Sequence, residues 1–269
     1  PYTTLFRSAA LAVALASLAL TTASCRRQGG KTVSVVGSTS IQPFAEVLAD
    51  EFHRVYRDIE IEVQGGGSTA GVQAFMNDIA DIGMCSRNLK KGEAPRGRPV
   101  VIARDGLAIV VHPDNPLEGV GLLQLQDLFG GRIYDWEALG LPAREVLPVS
   151  REEGSGARAA FEDLVMENRQ VTPRALLAPS PEAVLATVAA NPGAIGYLAM
   201  GAVTPEVKVL KVEGELPSPR SAALGTYALT RELWVVTISP PPAAVEQLLA
   251  FILSPGGQEI VGRRYGRIR

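Results

Sequence analysis

A chain of 269 residues with 46% hydrophobic and 20% charged residues carries enough apolar surface to bury a core, and its length fits two lobes of ordinary size. That balance excludes a disordered or low-complexity class. The formal net charge of -2 removes any overall basic field that would gather nucleic acid or anionic lipid, so an anionic ligand must be held by local groups.

Arg7 precedes an almost wholly apolar block, residues 9–20, and the small residues Thr22, Ala23 and Ser24 lead to Cys25. The block is short for a permanent bilayer span and has the order of an export signal. Residues 1–25 are therefore expected to be a signal peptide and 26–31 a polar linker. The small-small-Cys ending resembles a lipoprotein box, although Thr22 stands where such boxes usually carry Leu. It makes Cys25 the expected lipidation site and the only membrane contact, and it leaves Cys85 without a disulfide partner. Cys85 lies in an apolar run and reads as an inert core residue.

Strand-like and helix-like patterns then alternate. Residues 33–36 form a β-branched run, and 43–56 place Phe44, Val47, Leu48, Phe52 and Val55 at helical spacing. A strand over 59–63, a helix over 70–77 and a strand over 80–85 continue the βαβ rhythm of a parallel sheet. A second block opens near Gly106 with a strand over 107–111 and a polar loop over 112–116. Helices are expected over 122–129, 156–168 and 181–191, and a strand over 194–198. Strand-like runs at 207–212 and 227–236 precede a last helix, 243–253, that stops at Pro255, Gly256 and Gly257.

Three clusters stand just after a strand and just before a helix: Gly37-Ser38-Thr39-Ser40, Gly65-Gly66-Gly67-Ser68-Thr69 and Gly154-Ser155-Gly156. In a parallel α/β sheet such turns share the carboxyl edge, where ligands bind, and each following helix points free N–H groups at the crevice. Taken singly, each is an ordinary helix cap or tight turn. Together they make an anion site, with glycine allowing close backbone approach and hydroxyls donating without a full charge. Arg151, directly before the third cluster, adds a two-pronged counter-charge.

Catalytic patterns are weak. His53 and His112 have no partner at ligand spacing, so no metal is expected. Gly154-Ser155-Gly156-Ala157 lacks the second glycine of a nucleophile elbow, and no Gly-Lys-Ser or Gly-Lys-Thr phosphate loop occurs.

Five stretches carry a family resemblance: Val-Gly-Ser-Thr-Ser-Ile-Gln-Pro-Phe (36–44), Gln-Gly-Gly-Gly-Ser-Thr-Ala-Gly (64–71), Asp-Ile-Gly-Met-Cys-Ser-Arg (81–87), Arg-Glu-Glu-Gly-Ser-Gly-Ala-Arg (151–158) and Asn-Pro-Gly-Ala-Ile-Gly-Tyr-Leu (191–198). With His112-Pro-Asp-Asn-Pro116 in order between them, the chain from Thr32 onward resembles the phosphate-specific substrate-binding proteins of bacterial ABC importers. The resemblance implies an α/β, two-lobed type II periplasmic-binding-protein fold with two chain crossovers and a ligand cleft between lobes. Lobe I would comprise 32–104 and 201–269, and lobe II 105–200.

It further implies inorganic phosphate as ligand, held without cofactor or metal by Thr39, Ser40, Ser68, Arg151, Ser155, Gly156 and Ala157. Ser86 and Arg87 would stand at the same cleft. The partners would be the membrane permease subunits of an ABC importer, met by a monomer in the periplasm or on the outer face of the cell membrane. Two departures touch selectivity. Family members commonly carry Thr where Ala157 stands, and many have a carboxylate near Ser86 that accepts the proton of phosphate and repels sulfate. Glu152 and Glu153 are the nearby acids able to take that part. Capture of another tetrahedral oxyanion such as sulfate, a sensing or adhesion lipoprotein, and a phosphatase are the competing classes, the last disfavoured by the missing nucleophile and metal cluster.

Overall fold

The computed structural model describes residues 31–167 and 169–268, so the expected signal peptide with Cys25, and the linker up to residue 30, lie outside the described residues. The order of elements is β1 (Lys31–Gly37), α1 (Gln42–Val55), β2 (Ile59–Gly65), α2 (Ser68–Met76), β3 (Ile82–Cys85) and β4 (Gly97–Val111). Next come β5 (Gly119–Val120), α3 (Leu122–Phe129), β6 (Leu147–Arg151), α4 (Gly156–Phe161), β7 (Leu176–Ala178), α5 (Pro181–Ala190) and β8 (Ala194–Ala199). The chain ends through β9 (Lys208–Val209), β10 (Lys211–Val212), α6 (Pro219–Leu224), β11 (Thr230–Ile238), α7 (Ala243–Leu253) and α8 (Pro255–Val261).

The main sheet runs β2-β1-β3-β11-β4-β8-β6-β7, with β9 also on β4. β1 and β3 are parallel, as are β6, β7 and β8, whereas β11 and β4 run antiparallel to their neighbours. β4 is shared between lobes: its residues 97–106 pair with β11, and Leu107 to Val111 pair with β8. The chain therefore crosses first at Asp105-Gly106-Leu107 and returns at Leu229-Thr230; two crossovers are present, the second later in the chain than residues 200–201, where it was expected.

Each lobe has its own core. In the first, Phe44, Leu48 and Phe52 of α1 and Val245, Leu248 and Ile252 of α7 close over Val33, Val35, Ile82 and Met84. Each such side chain stabilises the lobe by about 1.5–3 kcal/mol when fully removed from water. In the second, alternate residues of β4 serve opposite faces: Leu107, Ile109 and Val111 pack with Phe129, Phe161 and Tyr197, while Ala108 and Val110 pack with Val149, Val184 and Val188. A sheet covered on both sides accounts for the unbroken apolar run that the sequence shows there.

Three expectations differ from the structure. Val207, Leu210, Val212, Tyr227 and Leu229 are buried in the second lobe's cores, so residues 207–212 and 227–229 pack with lobe II rather than lobe I, while Gly201 and Ala223 are hydrogen-bonded to Arg264 and Arg104 of lobe I. The expected second-block start at Gly106 falls inside a single 15-residue strand, because β4 continues through the hinge. Finally, α7 ends at Leu253 as expected but is not the last helix, since another begins at Pro255. This proline opens α8 at its first position, where a missing N–H costs nothing, and Ser254 Oγ accepts from Gly257 N at 3.1 Å.

Candidate functional site

All three Gly-Ser-Thr turns meet at one place, the carboxyl edge of the parallel strands where the lobes face each other. β1 delivers Ser38, Thr39 and Ser40 to the start of α1, and Ser38 N donates to Met84 O at 3.1 Å. β2 delivers Ser68, the first residue of α2, after Gly67 at φ +89°, a left-handed conformation that favours glycine. From the other lobe β6 ends on Arg151, and the turn through Gly154, at φ +90°, leads to Ser155, whose oxygen caps α4 by accepting from Arg158 N at 3.3 Å.

The lobes touch here. Thr69 N donates to Gly154 O at 3.1 Å, and Arg151 Nη2 donates to Thr39 Oγ1 at 3.2 Å. Gly156 faces Ser68 and Ser86 so closely that a methyl group on it would overlap both hydroxyls and approach Ser68 Cβ to 2.9 Å. The described arrangement is thus a closed cleft. Within it Ser38 Oγ donates to Ser86 Oγ at 2.8 Å, Ser68 Oγ and Ser86 Oγ lie 3.2 Å apart, and Ser86 N donates to Ser68 Oγ at 2.9 Å. Ser38, Ser40, Ser68, Ser86 and Ser155 are all buried, which apolar packing alone gives no reason for.

Arg151 is fully buried. Its Nε and Nη2 each donate to a Glu152 carboxylate oxygen at 2.9 Å, and Nε also reaches Ala178 O at 3.1 Å. Its Nη1 is buried with no partner. A guanidinium N–H withheld from both water and protein is costly, and its cost is removed by an anionic oxygen entering the cleft.

Two sequence expectations change. Arg87, expected to add positive charge, has its fork filled by Glu93, with Nη1 to Oε2 at 2.7 Å and Nη2 to Oε1 at 2.8 Å. This contact raises the Arg87 pKa and holds the Glu93 carboxyl below its ordinary range. Glu152, weighed as a replacement proton acceptor, is engaged by Arg151. Ala157 contributes its methyl to the second core and no hydroxyl. Burial pushes the Cys85 thiol up, and it donates to Arg87 O at 3.3 Å.

Sequence reasoning placed Ser38 in the first turn without giving it a contact, and it missed Arg231 and Asp105. Arg231 donates to Asp105 Oδ2 from Nε and Nη2 at 2.9 and 2.7 Å. Burial raises the Asp105 carboxyl above its ordinary value while the Arg231 charge works the other way. A clue was present: Leu229, Arg231, Leu233 and Val235 share the buried phase of one strand-like run, and a charge in that phase needs a partner. Arg87, Arg151 and Arg231 are thus each matched by a carboxylate, so a bound anion meets oriented donors rather than unbalanced cations.

A family model described as a PBP superfamily domain matches residues 22–255. The phosphate-binding protein PstS of Borreliella burgdorferi is 25% identical over 251 residues, covering 88% of this chain and 90% of its own length. The Bacillus subtilis protein of that name is 29% identical over 208 residues, covering 76% of this chain and 68% of its own. Among solved structures, a substrate-binding protein assigned to a phosphate ABC transporter of Clostridium perfringens, with phosphate bound, superposes with a TM-score of 0.85 at 32% identity and covers 89% of this chain and 100% of its own. An ABC-type phosphate transport receptor from Vibrio cholerae gives 0.75 at 31% identity, with 87% and 99% covered.

Proposed function

We propose that this chain, which belongs to the PBP superfamily and within it to the substrate-binding proteins of phosphate ABC importers, captures inorganic phosphate between its lobes and delivers it to an ABC import permease. The observation that carries the reading is Arg151 Nη1, a buried cationic N–H without a partner at the point where three helix starts converge. In this reading Thr39, Ser40, Ser68, Ser155, Gly156 and the Ala157 backbone are the remaining ligand groups, while Ser86, whose N–H and hydroxyl are taken up by Ser38, Ser68 and Arg231, holds Ser68 in place. Charge-assisted hydrogen bonds contribute roughly 1.5–3 kcal/mol each, so a handful reaches the ~8 kcal/mol of about micromolar binding.

Contacts from both lobes stabilise the closed form, which is the form the permease recognises. The protein acts as a monomer outside the cytoplasm, tethered through a lipid on Cys25. Capture is favoured over hydrolysis by the absence of an assembled nucleophile among the described residues. Ser155 Oγ serves as a helix cap, His53 Nδ1 sits against Ile59 O at 3.1 Å and His112 Nδ1 against Asp114 N at 3.1 Å.

Calorimetric titration of the anion-stripped protein tests the ligand, with phosphate first and excess sulfate as competitor. Phosphate binding is expected; a site that takes sulfate but not phosphate, or no anion at all, would overturn the assignment. Loss of phosphate uptake on deletion of the gene tests delivery.

A further inference from the structure

Behind the cleft, the two strands that cross between the lobes are tied by the buried Arg231–Asp105 pair, whose residues face each other in register on β11 and β4. Asp105 Oδ1 also accepts Met200 N at 3.1 Å. The remaining donors of Arg231 go to the cleft: Nη1 to Ser86 O at 3.0 Å and Ser86 Oγ at 3.5 Å, and Nη2 to Ser40 Oγ at 3.1 Å.

A hydroxyl has one hydrogen and two lone pairs. Ser86 Oγ accepts from Ser38 Oγ and from Arg231, so its lone pairs are filled and its hydrogen goes to Ser68 Oγ. Ser68 Oγ already accepts Ser86 N. Its two lone pairs are filled in turn, and its hydrogen is left for the cleft. Ser40 Oγ likewise takes a donation from Arg231 and keeps its hydrogen for a ligand.

We propose that Arg231 is a positioning residue that sets the direction of this serine network, so that Ser40 and Ser68 present hydrogens to the anion and the cleft selects the more ionised form of phosphate. The inference rests on the cleft being an oxyanion site. Ser68, with both lone pairs filled, can only donate, so it suits an ionised P–O oxygen and cannot accept the hydrogen of a P–OH group, whereas Ser40 keeps one lone pair. The charged and titratable side chains packed around the network are Asp105 on β4, Arg231 on β11, Arg151 and Glu152 at the end of β6, Cys85 at the end of β3 beside Ser68, Arg87 and Glu93 after β3, and Tyr265, whose hydroxyl donates to Ser40 O at 3.2 Å.

The test compares the phosphate affinity at pH 8 with that at pH 6, by calorimetry, in the wild type, in Arg231→Met combined with Asp105→Asn, and in Arg231→Lys. The double variant removes the donors without stranding a buried carboxylate. Its serines become free to turn and accept from P–OH, so the pH 8 to pH 6 affinity ratio should fall about tenfold, the worth of one hydrogen bond. Arg231→Lys keeps the charge beside Asp105 but not the fork, and it carries the same comparison, with a smaller fall, should the double variant not fold. A ratio equal to the wild type's in the folded variants, whatever the absolute loss, overturns the inference, because a merely structural role weakens both forms alike. A wild type that binds no phosphate at either pH overturns the function itself, a result that needs no variant.

Discussion

Replacing Gly156 by Ala separates closure from folding. Gly156 opens α4 in ordinary helical backbone, so alanine brings no local strain. Its methyl, however, would overlap the hydroxyls of Ser68 and Ser86 in the opposite lobe and stand 2.9 Å from Ser68 Cβ. Overpacking of this kind costs about 1–3 kcal/mol. Relief by separating the lobes stretches Thr69 N to Gly154 O and Arg151 Nη2 to Thr39 Oγ1, each worth about 0.5–1.5 kcal/mol. Closure should therefore lose about 2 kcal/mol, the middle of either range, roughly 25-fold in phosphate affinity, while the melting temperature of the unliganded protein stays unchanged. Calorimetry measures the affinity, and solution scattering with saturating phosphate should give a larger radius of gyration for the variant than for the wild type. Wild-type affinity together with wild-type compaction would refute the inter-lobe contact as the determinant of closure.

Arg151→Ala removes the guanidinium that carries the unpartnered Nη1 and should weaken phosphate binding by at least about tenfold, one charge-assisted bond, with the fold intact by circular dichroism. Glu152→Gln leaves the Arg151 charge unbalanced and should tighten phosphate about three- to tenfold through slower release, a modest effect because Glu152 is partly solvated; stopped-flow dissociation checks it. Glu93→Gln strands the buried Arg87 and should cost about 3 kcal/mol at neutral pH. Since the Glu93 carboxyl is held low in the folded protein, its contribution is present above the ordinary glutamate range and lost as pH falls through the depressed value. Thermal melts should therefore show wild type and variant converging in acid. The buried Cys85 thiol, with its raised pKa, should react with a thiol reagent only after denaturation.

The lobes' periodic elements were legible because their burial repeats locally: α3 and α7 fall on their expected residues, and β1, β2 and β8 within two residues or fewer at either end. The strand that precedes Gly154 was implied by the third turn but given no bounds, and β7 was not read as a strand. Both are short, and β7 lies at the sheet's edge with Leu176 and Leu177 exposed, so neither shows a long alternating pattern. Residues 207–212 were misplaced because their attachment to lobe II depends on pairings with β4 and β5 far away in sequence. At the site, the three Gly-Ser-Thr turns were visible as local clusters. The pairing of each arginine was not: Arg231 finds Asp105 across 126 residues, and nothing local distinguishes Glu152 as the partner of Arg151 from Glu153 beside it.

The crystal structure of the protein with phosphate tests the central claim most directly. An oxygen of phosphate within hydrogen-bond distance of Arg151 Nη1, with Ser68 and Gly156 closing on it from opposite lobes, is the predicted result. Phosphate seated elsewhere, with Nη1 still lacking a partner in the occupied protein, would contradict it.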